Sequence, residues 1–539
     1  MKNKTRLLIA SIPLVLLLGV VCGVLIGIYV GPSTGLKDSD KLRNVLALVQ
    51  NEYVDEIDID SLVETSIPDL LASLDPHSVY IPKEELTAAN DELEGSFSGV
   101  GISFQLLDDS LTVVEVIPGG PAEKVGILAG DRILRANGKV MTGTEMTTDS
   151  VMRTLRGPKD SKVLVEVKRS GVAKPLKFDV IRGDIPVNSV DAAYMLEQGI
   201  GYIKVSKFAK NTAAEFLTAL GELKQKGARK FVVDLRGNSG GFMEQAILMV
   251  NEFLPQGRKI VYTQGRNPQN NTDAVSDGYG NFQDSELVVL TDEGSASASE
   301  IFAGAIQDND RGLVIGRRTF GKGLVQNQIM LPDSSAVRLT VARYYTPSGR
   351  SIQKEYQRGA DGKYELDIVE RYNHGEFYNV DSIKLDKKLQ FKTVNGRTVY
   401  GGGGIMPDIF VPVDTTGYTS YYMNVMNQGL VQKYSFNLTD RYRNVLSGVT
   451  TVDRLFNVVP GEDKLLQDFV EFAEKNGEPS RWYYINQSRN LLLRQIMAVI
   501  ARDALGYQQF YEILNREDPV VNKALEILKT GKSPVNIEK

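Results

Sequence analysis

The sequence predicts an α/β protein, with a core of sheet and helices between a small β-rich unit and a helical C-terminal region. Apolar runs of strand length alternate with amphipathic helices through the middle of the chain, which is typical of a sheet covered by helices. Upstream of this core, short alternating segments are separated by turns rich in Gly and Pro, which indicates strands. With 539 residues, the chain is long enough for roughly three or four domains.

The amino-acid composition narrows the chemistry. Hydrophobic residues make up 42% of the chain and charged residues 24%, as in ordinary globular proteins, and the net charge of −5 gives no reason to expect a nucleic-acid partner. The chain has two histidines, His77 and His374, and one cysteine, Cys22. These counts exclude an internal disulfide and leave too few ligands for a Cys/His zinc site. Both histidines lie far from any serine motif, so a Ser-Lys arrangement is favoured over a Ser-His-Asp triad.

The N-terminus carries the pattern of a membrane anchor. Lys2, Lys4 and Arg6 precede an uncharged apolar run over residues 7–30, which is long enough to span a bilayer as a helix. Because this run is longer than the apolar region of a cleavable signal peptide and ends without a small-x-small exit, we predict an uncleaved signal anchor. The basic N-terminus predicts a single-pass inner-membrane protein whose remainder lies in the periplasm or otherwise outside the cytoplasm. Residues 1–35 form the predicted stub and anchor.

A short helical segment is predicted next, over residues 36–96. Prolines divide it into pieces, and His77 lies within it in the sequence Leu-Asp-Pro-His-Ser. This context is typical of a turn, which favours a structural role for His77 over a catalytic one.

Residues 97–182 resemble a PDZ domain. Their Gly-Val-Gly-Ile loop matches the carboxylate-binding loop of that family, and residues 130–138 match its core signature. Successive backbone N–H groups of a Gly-rich loop bind anions, and an extended peptide adds as a strand beside such a loop. The resemblance implies that Val100, Gly101 and Ile102 bind the C-terminal carboxylate of a protein. The alternative is a small β-rich packing domain without a ligand.

A Gly-rich turn follows one predicted buried strand of the core. The strand covers residues 231–235, and the turn, Arg-Gly-Asn-Ser-Gly-Gly at residues 236–241, opens a helix. Unpaired N–H groups at such a turn can stabilise an oxyanion. A nucleotide-binding loop looks similar, but the GxxxxGK[ST] and GxGxxG spacings are absent here.

Three serines and a lysine are the candidate nucleophile and base. Ser295, Ser297 and Ser299 alternate with alanines directly after a predicted strand at residues 287–290 and before a helix, and Lys322 lies between two glycines downstream. Taken singly, such serines are usually helix caps and such a lysine a surface turn. Together they are the parts of a hydrolase whose base is not histidine. Spacing alone does not choose among the serines.

The order of these motifs resembles the C-terminal processing (tail-specific) serine peptidases, and the resemblance covers residues 36–412. It implies that Ser297 is the nucleophile, that Lys322 is the general base and that Gln326 orients Lys322. It also implies an α/β core of the ClpP/crotonase-like type with an inserted PDZ domain, and neither a metal nor an organic cofactor.

A lysine base makes a physical demand on its surroundings. A free lysine has a pKa of about 10.4 and is protonated at neutral pH. Burial disfavours the ammonium and can lower the pKa towards roughly 7–8, where the amine works as a general base. Gln326 is uncharged and can bond Lys322 without raising its pKa as a carboxylate would. For the oxyanion hole, the resemblance implies backbone N–H groups of Ala298 and Gly240.

The remaining boundaries follow from composition and helical patterning. The peptidase core is predicted over residues 183–414, with a polar, Tyr-containing insertion over about residues 353–400. Residues 415–539 carry no catalytic motif, and residues 465–473 and 487–514 have the pattern of amphipathic helices. Packing on the core, self-association as a homo-oligomer and substrate gating all stay open for this region.

These observations predict a membrane-anchored serine endopeptidase that binds protein C-termini through its PDZ domain and cleaves with a Ser-Lys dyad. Its predicted partners are protein substrates and, through the anchor, the membrane. One alternative is a non-catalytic PDZ scaffold, which the intact Ser297, Lys322 and Gln326 oppose. The other is a crotonase-like acyl-CoA enzyme. Strands and helices alternate in a similar way in such enzymes, but the PDZ unit and the export signal disfavour this alternative.

Overall fold

The structure is a computed structural model that describes residues 39–107, 110–143, 146–169, 171–359, 362–446 and 448–531. The chain divides into two compact units, Met1–Leu70 and Leu71–Lys539. In the first unit the described part is helical, with α1 at Ser39–Glu52 and α2 at Ile59–Ala72, which crosses the boundary. The predicted anchor at residues 7–30 lies outside the described residues.

The region predicted as a PDZ domain folds into an antiparallel sheet with two short helices. It follows β1 and α3, and the bounds of these elements are β1 Val79–Ile81, α3 Lys83–Glu94, β2 Ser96–Gly99, β3 Ile102–Leu107, β4 Ser110–Val116, α4 Pro121–Val125, β5 Arg132–Ala136, β6 Lys139–Val140, α5 Thr148–Leu155, β7 Lys162–Lys168, β8 Leu176–Ile181 and β9 Gly183–Pro186. The strands pair in the order β3-β4-β5-β7-β8, with β6 on β5, while β2 pairs with β9. In β7, Val163, Val165 and Val167 are buried and Leu164 is exposed, because alternate residues of a strand face one core.

The region predicted as the peptidase core is built on a six-stranded sheet. Its elements, including those of the predicted insertion, are β10 Val190–Glu197, β11 Ile200–Val205, α6 Thr212–Gln225, β12 Lys230–Asp234, α7 Met243–Asn251, β13 Lys259–Gly265, β14 Asp273–Val275, β15 Glu286–Thr291, α8 Ala298–Asp308, β16 Leu313–Gly316, β17 Leu324–Met330, β18 Ala336–Tyr345, α9 Lys363–Asn373, β19 Gln390–Lys392, β20 Thr398–Tyr400 and β21 Ile409–Phe410. The sheet order is β10-β11-β12-β15-β16-β21. Only β10 is antiparallel to its neighbour within this described sheet.

The parallel register brings two predicted motifs to one edge of this sheet. Asp234 at the end of β12 lies opposite Leu290 near the end of β15. The Gly-rich turn after β12 and the serine loop after β15 therefore leave the sheet side by side. Phe231 and Val233 face helices α6 to α8, and Val232 faces the opposite side. All three are buried, as expected for a parallel strand covered on both faces.

A second, antiparallel sheet carries the lysine loop. Its order is β1-β18-β13-β14, with β17 also on β18. Val337 of β18 pairs with Tyr80 on one edge and with Ile329 on the other. The strands β1 and β17 therefore lie on opposite edges of β18, and Lys322 lies just before β17.

The C-terminal region is helical over its described residues. Its helices are α10 Ser420–Asn427, α11 Leu430–Leu446, α12 Val452–Val458, α13 Glu462–Lys475, α14 Trp482–Leu505, α15 Tyr507–Leu514 and α16 Pro519–Thr530. Helices α10 to α15 share a hydrophobic core of their own, whereas Val520 and Val521 of α16 pack on the central sheet. The helix predicted over residues 487–514 is interrupted because Gly506, with φ +109°, leaves the helical conformation.

The predicted single-pass inner-membrane localisation is corrected by the structure. Among the helices described, none is both long enough and apolar enough to cross a membrane. The long helix α14 has 24 residues but carries Arg489, Arg494, Arg502 and Asp503, and its apolar side chains pack in the C-terminal core. A single-pass inner-membrane protein is therefore not supported.

Candidate active site

Ser297 differs from its two neighbouring serines in its surroundings. Ser295 and Ser299 are fully buried, and their hydroxyls donate to the carbonyl oxygens of Leu235 and Asn238, each at 2.8 Å. Ser297 is partly exposed and precedes α8 with φ +56° and ψ −113°. This backbone conformation is costly for a residue with a side chain and is concentrated at functional sites. The geometry thus separates three serines that spacing alone does not distinguish.

The Gly-rich turn passes directly beside Ser297. A Cβ atom on Gly240 would lie 2.7 Å from the Cβ of Ser297 and 3.0 Å from the backbone nitrogen of Ala298. Only glycine fits at this approach, and its φ of +104° also favours glycine. The structure therefore brings Gly240, Ala298 and Ser297 together.

The hydrogen bonds of the turn revise one predicted role. The N–H of Gly240 donates to Oδ1 of Asn238 at 2.9 Å, so this donor is engaged, in contrast to the predicted oxyanion contact. Among the described residues, the N–H groups of Ala298 and Gly241 have no protein acceptor. Gly240 leaves room for the close approach of Ser297, while the backbone N–H groups of Ala298 and Gly241 stay available as hydrogen-bond donors.

Lys322 lies in a loop between two glycines, ahead of β17. Its Nζ donates to Oε1 of Gln326 at 3.1 Å. Burial lowers the pKa of Lys322, and Arg338 lowers it further, whereas Glu300 and Asp75 act in the opposite direction. The chain thus contains a lysine held by an uncharged amide in a site that disfavours its ammonium form.

Glu300 ties the serine turn to the lysine loop. It is fully buried on the first turn of α8. Its Oε2 accepts the N–H groups of Ser297, at 2.9 Å, and Lys322, at 2.8 Å. Its Oε1 accepts the N–H of Gly321 at 2.8 Å and the hydroxyl of Thr319 at 2.5 Å. Burial raises the pKa of Glu300 to about 7, against the opposing effect of these hydrogen bonds.

Sequence reasoning missed Glu300, although a signal was present. A serine followed three residues later by glutamate is the pattern of a capping box at a helix N-terminus. That pattern predicts a contact between Glu300 and the backbone of Ser297. It does not predict the contacts to residues 319–322, which depend on the tertiary fold.

His77 lies in a turn, as its sequence context predicts, and this turn lies beside Gln326. Its carbonyl oxygen accepts a hydrogen bond from Nε2 of Gln326, and its ring Nε2 lies 2.9 Å from the hydroxyl of Tyr364. Burial and the nearby charge of Lys322 lower the pKa of His77 to about 4. His374, by comparison, is exposed at the end of α9.

The predicted peptide-binding residues line a groove between β3 and α5. The groove has a volume of about 360 Å³ and includes Val100, Gly101 and Ile102, with Met152 and Leu155 on the helix side. An open groove between a strand and a helix accepts a peptide as an added strand. The described lining of this groove includes none of the residues around the candidate serine.

No metal centre accompanies these residues in the described part of the chain. No group of three or more His, Cys, Asp or Glu side chains there is placed to hold a metal ion.

Family models match three parts of the chain. Peptidase family S41 matches residues 199–362, a PDZ domain matches residues 112–169, and a family of unknown function (DUF8443) matches residues 421–506. The first match lies within the core and the second within the antiparallel domain, and the third covers most of the C-terminal helices.

The chain is also similar to named proteases. It is 38% identical over 322 residues to a carboxy-terminal-processing protease of Bartonella bacilliformis, covering 59% of this chain and 73% of that protein. It is 32% identical over 368 residues to the carboxy-terminal processing protease CtpB of Bacillus subtilis, covering 66% and 74%. Among solved structures, a photosystem II D1 C-terminal processing protease has 32% identity and a TM-score of 0.31, over 57% of this chain and 88% of that one. The chain therefore belongs to the carboxy-terminal processing proteases of peptidase family S41, which are serine peptidases, and it carries a PDZ domain.

Proposed function

We propose that Ser297 is the nucleophile of this peptidase, that Lys322 is its general base and that Gln326 orients Lys322. The observation that carries the proposal is the environment of Lys322. Burial lowers the pKa of the amine, and its partner at 3.1 Å is an amide. A carboxylate in that place would stabilise the ammonium, whereas an amide holds the amine without restoring its charge. A neutral amine can accept the serine proton.

The reaction would proceed through an acyl-enzyme. Lys322 takes the proton of the Ser297 hydroxyl while Oγ bonds to the carbonyl carbon of the substrate. The protonated lysine then gives its proton to the leaving amine, and the C–N bond breaks. Water attacks the ester in the second half, with Lys322 again as the base, and the new carboxyl terminus leaves.

The oxyanion of each tetrahedral intermediate needs donors next to the nucleophile. We assign this role to the N–H of Ala298 and to the turn at Gly240, in which the N–H of Gly241 is the unengaged donor. Donors of this kind, fixed before the reaction, each lower the barrier by about 3–4 kcal/mol in serine peptidases. The close approach of Gly240 to Ser297 supports this assignment.

Substrates would be captured by their C-terminal tails. The groove beside Val100, Gly101 and Ile102 has the apolar side chains of Met152 and Leu155 on its helix side and has a Gly-rich loop at one end. Such a loop suits a terminal carboxylate, and the apolar wall suits an apolar last residue. We propose that this domain delivers protein tails to the Ser297 site.

The architecture supports a finer fold assignment. A mostly parallel sheet covered by helices, with the candidate groups at the carboxyl ends of β12 and β15, favours a core of the ClpP/crotonase-like type. On this assignment the domains are the segment 36–96, the PDZ domain 97–182, the core 183–414 and the helical region 415–539.

One cleavage assay tests the proposed site. The full chain is incubated with an unfolded protein that ends in an apolar tail, beside the variants Ser297→Ala, Lys322→Ala and Ser295→Ala. We expect cleavage by the wild type and no cleavage by the first two variants. Ser295→Ala is the matched control, because that hydroxyl is buried and bonded to a carbonyl. Cleavage by Ser297→Ala at the wild-type rate would refute the assignment, and binding of the tail without cleavage by the wild type would favour a scaffold.

A further inference from the structure

Gln326 has two chemically different ends, and only one of them suits a lysine base. Its Oε1 accepts one N–H from Lys322 at 3.1 Å. A neutral amine that donates one N–H to an amide oxygen keeps its lone pair for another partner, such as a serine hydroxyl. If the amide were turned around, its N–H would occupy that lone pair and the base would be blocked.

The carbonyl oxygen of His77 selects between these two orientations. Nε2 of Gln326 donates to that oxygen. In the turned amide, two acceptor oxygens would face each other and the hydrogen bond would be lost. The backbone of residue 77 therefore determines which end of Gln326 faces Lys322.

We propose that the His77 turn, residues 75–78, is a positioning element of the active site that keeps the lone pair of Lys322 free by presenting the His77 carbonyl to Gln326. This inference rests on the Ser297/Lys322 mechanism proposed above. It adds to that mechanism a segment that precedes the PDZ domain in the chain and comes from outside the peptidase core.

The carboxylate of Asp75 holds the His77 turn in shape. Its Oδ1 accepts the N–H groups of His77 and Ser78, both at 2.9 Å, and the hydroxyl of Thr340 at 3.0 Å. Its Oδ2 accepts the Ser78 hydroxyl at 2.6 Å. Thr340 is paired in register with Gln326 across β17 and β18. Thr340 therefore bonds Asp75 of the His77 turn and is also the cross-strand neighbour of Gln326.

The ring of His77 gives the turn a second anchor. It lies 2.9 Å from the hydroxyl of Tyr364 and meets that ring edge to face, with centroids 5.1 Å apart. Burial and the charge of Lys322 lower the pKa of His77 to about 4, so the ring is neutral at neutral pH and adds no positive charge beside the amine. The other charged groups that act on these two residues are Glu300, Asp75, Arg338 and Lys354.

A double-mutant cycle separates positioning from general stabilisation. Thr340→Val removes the hydroxyl that holds Asp75 and keeps the shape of the side chain, while Thr340→Ser keeps the hydroxyl. With the full chain and a tailed protein substrate, we expect Thr340→Val to lower kcat about tenfold, as for one lost hydrogen bond. We expect KM to change less than twofold and Thr340→Ser to restore kcat. In a Gln326→Ala background, Thr340→Val should cause no further loss, because the turn acts through Gln326.

Each result of this cycle has a distinct meaning. An equal loss of kcat with and without Gln326 would overturn the inference and leave the proposed function intact. No cleavage by the wild type would overturn both. If Thr340→Val does not fold, Tyr364→Phe replaces it in the same cycle, because it removes the hydroxyl that bonds the His77 ring. Additive losses with Gln326→Ala in that cycle would equally refute the inference.

Discussion

Glu300 joins the two halves of the proposed active site, the serine turn and the lysine loop, so the exchange Glu300→Gln is expected to weaken the connection between them. A glutamine has one acceptor oxygen in place of two. If the glutamine oxygen accepts the N–H groups of Ser297 and Lys322, the amide nitrogen takes the place of the other carboxylate oxygen. The hydroxyl of Thr319 can then accept a hydrogen bond from this nitrogen, but the N–H of Gly321 loses its acceptor. One buried unpaired N–H costs about 1–3 kcal/mol. The variant should therefore fold, with a lower free energy of unfolding.

The pH dependence of this cost tests the electrostatic part of the reasoning. Burial raises the pKa of Glu300 from an ordinary value of 4.5 to about 7. A carboxyl whose folded pKa is raised contributes stability that is complete below the unfolded pKa and is lost as pH rises through the folded pKa. The interval between the two values corresponds to about 3 kcal/mol. Since glutamine does not titrate, the stability advantage of the wild type over Glu300→Gln should shrink by about that amount between pH 4.5 and 7.5.

The measurement is the free energy of unfolding of both proteins by denaturant titration across this range. His77, whose pKa is lowered, makes the opposite contribution to stability as pH rises through the same window. It is present in both proteins and cancels in the difference. A stability difference that stays constant or widens with pH would refute the claim that burial dominates at Glu300.

Three further predictions concern the nucleophile, the base and the groove. Lys322→Arg should abolish cleavage, because a guanidinium cannot act as a base near neutral pH, and tail binding measured by fluorescence anisotropy should stay unchanged. Gly240→Ala should lower kcat at least about 100-fold, because the new Cβ would lie 2.7 Å from that of Ser297; steady-state kinetics checks this, and a loss under twofold would contradict it. Gly101→Val should weaken tail binding about tenfold or more, because φ there is +79° and a Cβ would lie 3.0 Å from Ile185. Anisotropy measures this loss, while cleavage of a short peptide without a suitable tail should be unaffected.

Local patterns predicted much of the core. The strand expected at residues 231–235 is found at Lys230–Asp234, and the helix after the serines begins at Ala298. Apolar runs and Gly-rich turns are local signals, and together they locate the ends of the strands at which the candidate catalytic residues lie. The choice of Ser297 from three serines came from family resemblance, and the three-dimensional surroundings that support it were not readable from spacing.

Long-range contacts account for what the sequence did not reveal. Gln326 and His77 are 249 residues apart in the chain, and the pairing of β1 and β17 with opposite edges of β18 brings them together. No local pattern in the Asp-Pro-His-Ser turn indicates that contact. The packing of α16 on the central sheet is also a long-range contact, because the apolar pattern of a helix does not specify which surface it covers. The predicted membrane localisation rested on the N-terminal pattern alone, and no helix of the described residues supports it.

The most direct test of the Ser-Lys mechanism is the single-turnover formation of the acyl-enzyme. The full chain is mixed with a tailed protein substrate and quenched, and the adduct is located by peptide mass spectrometry. The mechanism predicts an ester on Ser297 that forms rapidly in the wild type and is absent in Lys322→Ala. An adduct on a different residue, or one that forms on Ser297 at an undiminished rate without Lys322, would contradict it.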